Sequence, residues 1–233
     1  MSDPVPLVSE KDKIRVNPDF YRDSPLTFVS RQKFGHMLGR IKLLEQALEV
    51  HGHIVECGVY RGSIFMSLYN ACTLLEPYGL NRKIIGFDTF SGFPELSPQD
   101  GPFAKKGDVD AGENTKELLE HLIAEDARFR PGGHVQKTEL IAGNAVETIP
   151  QYVKDNPDLM IAMLILDFDI YEPLLVALQW LLPLVVKGGV VAFDDLNAPK
   201  YPGAARAFLA HLSPDSVQLK RFAFDPFLSY WIK

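Results

Sequence analysis

These 233 residues carry little that would mark a secreted, membrane-bound or nucleic-acid-binding chain. There are two cysteines. Cys57 falls at the end of a predicted buried strand and Cys72 in an apolar helical pattern, so both read as small core residues. Such a pair is no disulfide framework, and a reducing cytoplasm is its natural compartment. No apolar run is long enough to span a bilayer. The opening Met1-Ser2-Asp3-Pro4 lacks the charged-then-apolar order of a signal peptide. Lys and Arg are scattered, with short pairs such as Lys105-Lys106, and the net charge is −6. With no basic stripe, nucleic acid is not an expected partner. There is no G-x-G-x-x-G loop for a pyrophosphate and no G-x-S-x-G elbow or Cys-His pattern for a nucleophile. None of the six histidines stands at a metal-ligand spacing. No internal repeat or low-complexity tract appears.

What is present is a set of short apolar runs that each stop on an acid. They are Ile54-Val55-Glu56, Ile84-Ile85-Gly86-Phe87-Asp88, Leu164-Ile165-Leu166-Asp167 and Val190-Val191-Ala192-Phe193-Asp194-Asp195. Runs this apolar read as strands buried on both faces. Carboxylates are costly to bury unpaired, so they belong at strand ends, where open α/β sheets have their ligand crevice. Ribose hydroxyls, a metal ion, or both would suit such an edge.

The order of patterns predicts a doubly wound, mostly parallel α/β sheet. Residues 1–30, rich in Pro and charge, read as an arm or lid ahead of a single domain over 31–233. A helix spans about 31–50, opened by Ser30. Strands are expected at His53–Cys57, Lys83–Asp88, Val135–Ile141, Met160–Asp167 and after Gly188-Gly189. Helices are expected from Ser63 to about Glu76, at 114–130, Val146–Lys154, Glu172–Val186, which Pro183 could kink or end, and Ala204–Leu212. Alternation after Val217 predicts a closing antiparallel hairpin with Asp225-Pro226 between its runs. Residues 89–113, dense in Gly, Pro and Asp, form a loop long enough to be functional or mobile.

Three constellations carry chemistry. Glu56-Cys57-Gly58-Val59-Tyr60-Arg61-Gly62-Ser63 turns sharply at Gly58 into a helix whose first amides face outward. The acid before Gly58 disfavours a pyrophosphate and suits a cofactor without phosphate; a plain tight turn is the alternative. Asp88 ends the second strand, where an acid accepts hydrogen bonds from ribose hydroxyls, or else caps the Thr89 turn. Asp167, Asp194 and Asp195 should meet at the ends of neighbouring strands; the alternative is that Asp194-Asp195 only caps a turn and Asp169 pairs with an Arg. Three carboxylates together raise one another's pKa unless a cation intervenes, and an oxygen-only set suits Mg²⁺ or Ca²⁺. Asp169 stands two residues past Asp167 and would share its face if the strand continued. His121, on the helix after the long loop, is a further catalytic candidate or a solvated position.

Together these stretches resemble a known family. Val55 to Ser63, Gly86-Phe87-Asp88-Thr89-Phe90-Ser91-Gly92-Phe93-Pro94, Leu166-Asp167-Phe168-Asp169-Ile170-Tyr171-Glu172 and Phe193-Asp194-Asp195 resemble the macrocin O-methyltransferase family. Its members include the mycinamicin and novobiocin sugar methyltransferases. The resemblance runs over roughly residues 50–212. It implies a class I S-adenosylmethionine methyltransferase fold with a seven-stranded sheet. It implies Mg²⁺-dependent methyl transfer to a sugar hydroxyl, often on a 6-deoxyhexose, nucleotide-linked or glycosylated. By position Glu56, Gly58 and Ser63 match the cofactor loop, Asp88 the ribose-binding acid, and Gly143-Asn144 the stretch beside the adenine. Arg61 and Thr89 lie in the same matched stretches and join them as cofactor-binding candidates. Asp167, Asp194 and Asp195 match the metal ligands, with Asp167 also the general base. A homo-oligomer, dimer or larger, is implied too. Phe168 stands where the family commonly has Gly, and residues 99–135, which should line the acceptor pocket, match poorly. A metal-dependent methyltransferase of a catechol or phenol, a nicotinamide oxidoreductase and a non-catalytic S-adenosyl-binding module remain the alternatives.

Overall fold

The computed structural model describes residues 23–233. The expected arm over 1–30 therefore lies mostly outside the described residues. Its last part, Pro25–Thr27, is a single 3₁₀ turn. Ser30 then caps helix α1, Arg31–Ala47, by accepting a hydrogen bond from the Lys33 amide.

The chain continues as β1 His53–Cys57, α2 Ser63–Leu75, β2 Ile84–Asp88, α3 Thr115–Ala127, β3 Thr138–Ala142, α4 Ala145–Asp155, β4 Ile161–Leu166, α5 Tyr171–Trp180, β5 Val185–Phe193, α6 Gly203–His211, β6 Lys220–Phe222 and β7 Asp225–Ile232. The sheet has seven strands in the order β3-β2-β1-β4-β5-β7-β6. β1 to β5 are parallel to one another, and β7 runs antiparallel to both β5 and β6. This is the expected doubly wound fold with its closing hairpin.

Alternate residues of each central strand enter two different cores. Val55, Cys57, Leu164 and Leu166 pack toward α4, α5 and α6. Ile54, Met163, Ile165 and Ala192 pack toward α1, α2 and α3. Two covered faces explain why these strands read as unbroken apolar runs. Chain order reverses between β1 and β4, and the crevice above that point is where such sheets bind ligands.

Several boundaries differ from expectation. The helix expected to reach Val186 stops at Trp180, because Pro183 sits in a 3₁₀ turn over Leu182–Leu184. β5 then starts at Val185, ahead of the glycines, and pairs with Ile161 across an irregularity in the ladder. β3 starts at Thr138, since the Val135 amide is used in a turn with the Gly132 carbonyl. Asp225-Pro226 opens β7, and the hairpin turns at 223–224.

The long loop is a docked wall. The Phe93 amide donates to the Asp108 carbonyl, and the Gly107 amide to the Phe93 carbonyl. Asp100, 2% exposed, accepts from the Ser97 amide at 2.7 Å and from the Tyr171 amide at 2.6 Å. Gly203 packs on this knot; a Cβ there would lie 2.4 Å from Asp100 Oδ1. Replacing Asp100 by Ala strands two amides, each worth about 1–3 kcal/mol when left unpaired. Limited proteolysis is expected to cut the variant within 95–112 far faster than the parent. Equal cutting would mean that Asp100 does not hold the loop.

Candidate active site

A cavity of about 190 Å³ opens over the carboxyl ends of β1, β2 and β4. Gly58, Tyr60, Asp88, Gly143, Asn144, Phe168 and Asp169 are among its lining residues, and Asp167 joins them. Gly58, Asp88, Thr89, Gly143 and Asn144, five of the eight residues expected to hold a cofactor, thus share one space with Asp167.

Each part of the cradle has a local cause. Gly58 has φ +97°, and a Cβ there would stand 2.1 Å from the Asp167 carbonyl oxygen, so only glycine lets β1 and β4 end this close. Asp88 Oδ2 accepts from the Tyr60 amide at 2.7 Å, and Oδ1 from the Phe90 amide at 2.6 Å. Asp88 therefore ties the loops after β1 and β2 together and does cap its own turn. Each oxygen keeps a lone pair for a ribose hydroxyl. Thr89 Oγ1 donates to the Gly92 carbonyl and folds the next turn. The Gly143 amide bonds the Asp88 carbonyl, and Asn144 caps α4 through the Val146 amide. Replacing Asp88 by Ala should weaken S-adenosylhomocysteine binding by about 10–100-fold, the loss of one or two bonds to a charged group. Unchanged affinity by calorimetry would remove Asp88 from the ribose role.

Four of the expected catalytic and cofactor residues, Glu56, Arg61, Ser63 and His121, stand outside the cavity lining. His121 is exposed on α3 and does not line the cavity, which is the solvated position weighed above. Ser63 is exposed at the start of α2, where Gly62 is the cap and the Ser63 carbonyl accepts from Ser67. Arg61 bonds the Ala111 carbonyl at 3.1 Å and lies over the Tyr60 ring, so it braces the loop outside the cavity lining. Glu56 is buried, and its Oε2 has no hydrogen-bond partner among the described residues. Burial, aided by Asp88 and opposed by Arg40, pushes its pKa well up.

Asp167, Asp169, Asp194 and Asp195 lie close enough to act on one another's charge. Burial raises the Asp167 pKa well above the ordinary carboxylate range, and Asp194, Asp169 and Glu56 push it further while Arg40 opposes them. Asp169 is raised to about 7 by burial, Asp195 and Asp194. Asp195 is raised by burial and Asp194. This mutual push is that of a site short of positive charge. Asp169 has φ +56° because β4 has already ended at Leu166, so strand alternation does not place it.

Arg40, which the sequence reading missed, answers part of that charge. It is 1% exposed and bonds Asp194 Oδ1 and Asp225 Oδ2, both at 2.7 Å. Burial works against its charge, yet Asp194, Asp167 and Asp225 hold its pKa above the usual value. The oxygen-only chemistry of Asp167, Asp194 and Asp195 fits a hard divalent cation. Their placement is not a preformed cage: no three His, Cys, Asp or Glu side chains among the described residues are set to hold a metal together. Arg40 draws on Asp194, and Asp195 sits in left-handed backbone at φ +56°.

A family model described as Macrocin-O-methyltransferase (TylF) matches residues 11–232. A curated relative from Streptomyces olivaceus, 8-demethyl-8-(2,3-dimethoxy-alpha-L-rhamnosyl)-tetracenomycin-C 4'-O-methyltransferase, is 31% identical over 153 residues, 63% of this chain. The match spans 53% of that relative, about half its length. The crystal structure of CalS11, a calicheamicin methyltransferase, superposes with a TM-score of 0.88 at 30% identity, covering 95% of this chain and 88% of that one. An apo structure of CalS11, described as a TDP-rhamnose 3'-O-methyltransferase, gives 0.80 at 28% identity, with 95% and 89% coverage. The O-methyltransferase NovP shares the fold, with a TM-score of 0.60 at 22% identity over 85% of this chain and 79% of that one.

Proposed function

The chain belongs to the macrocin O-methyltransferase family, and from that premise we propose that it transfers the methyl group of S-adenosylmethionine to a hydroxyl of a sugar carried on a nucleotide or an aglycone. The observation that carries this reading is the sharing of one cavity by Gly58, Asp88 and Asp167. Relatives named for rhamnosyl and TDP-rhamnose methylation point to a deoxyhexose acceptor. The same reading includes a homo-oligomer working in the cytoplasm.

A sulfonium methyl needs in-line attack by the acceptor oxygen, so positioning supplies much of the rate. Asp88 would orient the cofactor through its ribose. Phe168 and Ile170 would shield the cavity, beside a wall fixed by Asp100. Asp167 would accept the hydroxyl proton; a carboxylate whose pKa is pushed up by burial and neighbouring acids is a better match for that task near neutral pH. When bound, Mg²⁺ would be held by Asp167, Asp194 and Asp195 and would supply positive charge against the acceptor oxygens.

The test is a labelled-methyl assay over nucleotide-linked and glycosylated sugars, with and without chelator. Turnover on a sugar acceptor is expected, with chelator stopping it and added Mg²⁺ restoring it. Turnover on catechols alone would replace the acceptor class. Turnover indifferent to chelator would remove the metal.

A further inference from the structure

The 190 Å³ cavity is small for a cofactor together with a substituted sugar, since pockets for drug-sized ligands run to about 300–1,000 Å³. An acceptor that reaches Asp167 therefore needs a second hollow beside the acids. One exists. β7 is antiparallel to β5, so Asp225 at its start lies at the edge where β5 ends in Phe193 and Asp194. α1 reaches that edge too, through Arg40 on Asp194. Between the N-terminal half of α1 and the β6–β7 turn runs a groove of about 370 Å³.

Its walls are aromatic. Phe34, Phe224 and Phe227 are 46%, 45% and 47% exposed. Three half-bare rings around one hollow form a patch that calls for an occupant. The floor is polar. His36 stacks on Phe227 with ring centroids 5.9 Å apart and approaches Asp225 Oδ1 at 3.3 Å. Asp225 is 1% exposed, and that oxygen has no hydrogen-bond partner among the described residues. The groove is tied to the acids: the Asp195 amide donates to the Phe227 carbonyl at 3.2 Å, and Arg40 bridges Asp225 to Asp194.

Charge selects the occupant. Arg40 meets the charge of Asp225 from inside, while Arg31 stands exposed at the rim with no ion-pair partner among the described residues. The net charge of −6 does not draw anions, so Arg31 is the local cation that favours an anionic group at this rim, and the rings favour a planar one. Resting on the methyltransferase reading above, we infer that this groove holds the nucleotide end of a nucleotide-linked sugar, its base against Phe34, Phe224 and Phe227 and its phosphates toward Arg31. The sugar then extends to Asp167.

Calorimetry on the full chain, with S-adenosylhomocysteine present, tests this with thymidine 5'-diphosphate, thymidine and a phenyl glycoside. The diphosphate should bind at least about tenfold more tightly than thymidine, since an Arg–phosphate contact is charge-assisted. Phe227→Ala and Arg31→Ala should each weaken it by about tenfold, the loss of a stacked base or of a paired phosphate. S-adenosylhomocysteine affinity should stay with the parent's in both variants, which also shows that they are folded. Diphosphate binding unchanged in both variants would overturn the assignment. So would tighter, Phe227-dependent binding of the phenyl glycoside, or an altered oligomeric state with no effect on the nucleotide, which would make the groove a subunit contact. Failure of the parent to bind S-adenosylhomocysteine is a separate result and would strike the cofactor reading instead.

Discussion

Replacing Asp167 by Asn is expected to cut methyl transfer by about 10²–10⁴-fold, the usual worth of a positioned general base, while leaving S-adenosylhomocysteine affinity nearly unchanged. The division follows from the backbone. The Asp167 amide bonds the Cys57 carbonyl at 2.8 Å, and its own carbonyl is the group that Gly58 approaches. Neither contact uses the carboxylate, so the join between β1 and β4 survives the change. The side chain sits among Asp194, Asp169 and Glu56, and removing one charge relieves repulsion there. The variant should thus be at least as stable as the parent. Single-turnover transfer of labelled methyl, read beside calorimetry, separates the two quantities. A collapse of cofactor affinity would mean that Asp167 holds the cofactor and that the base lies elsewhere.

Arg40→Met is expected to be the most destabilising single change at this edge. Breaking a buried ion pair by removing one partner costs about 3–5 kcal/mol, because the other charge stays buried and unanswered. Here Asp225 is 1% exposed and Asp194 14% exposed, so two carboxylates lose their guanidinium at once. For a chain of this size that is a fall in Tm of roughly 10 °C. The double variant Arg40→Met/Asp225→Leu removes the worse of the stranded charges and should recover part of the loss. A single variant that melts within about 2 °C of the parent would show the network to be energetically idle.

These two residues also mark what the sequence displays and what it hides. Asp167 was legible because a strand buried on both faces is a continuous apolar run, and the first acid after it must lie at the sheet edge. The same reasoning located Asp88, Asp194 and the glycine turn at Gly58. Arg40 was not legible. It sits in a helix of ordinary amphipathic pattern, and its partner Asp225 is 185 positions away. No local periodicity encodes a contact of that range. Asp100 was hidden for the same reason, since it meets Tyr171 across 71 positions. The loop it anchors looked free because its composition is that of a loop, whereas the amides it satisfies lie elsewhere in the chain. Pro183 marked where α5 could end, but Leu181, Leu182 and Leu184 continue the apolar pattern past Trp180, so the pattern alone carried the helix to Val186. His121 could be placed on a helix by pattern, but its direction depends on how α3 packs, which the pattern leaves open.

Calorimetric titration of the full chain with S-adenosylhomocysteine asks whether the hollow over Gly58 and Asp88 seats an S-adenosyl cofactor against Asp167. Saturable binding of one ligand per chain, weakened about 10–100-fold by Asp88→Ala and kept on Asp167→Asn, is the predicted result. Absence of binding in the parent, or equal binding in both variants, would contradict it.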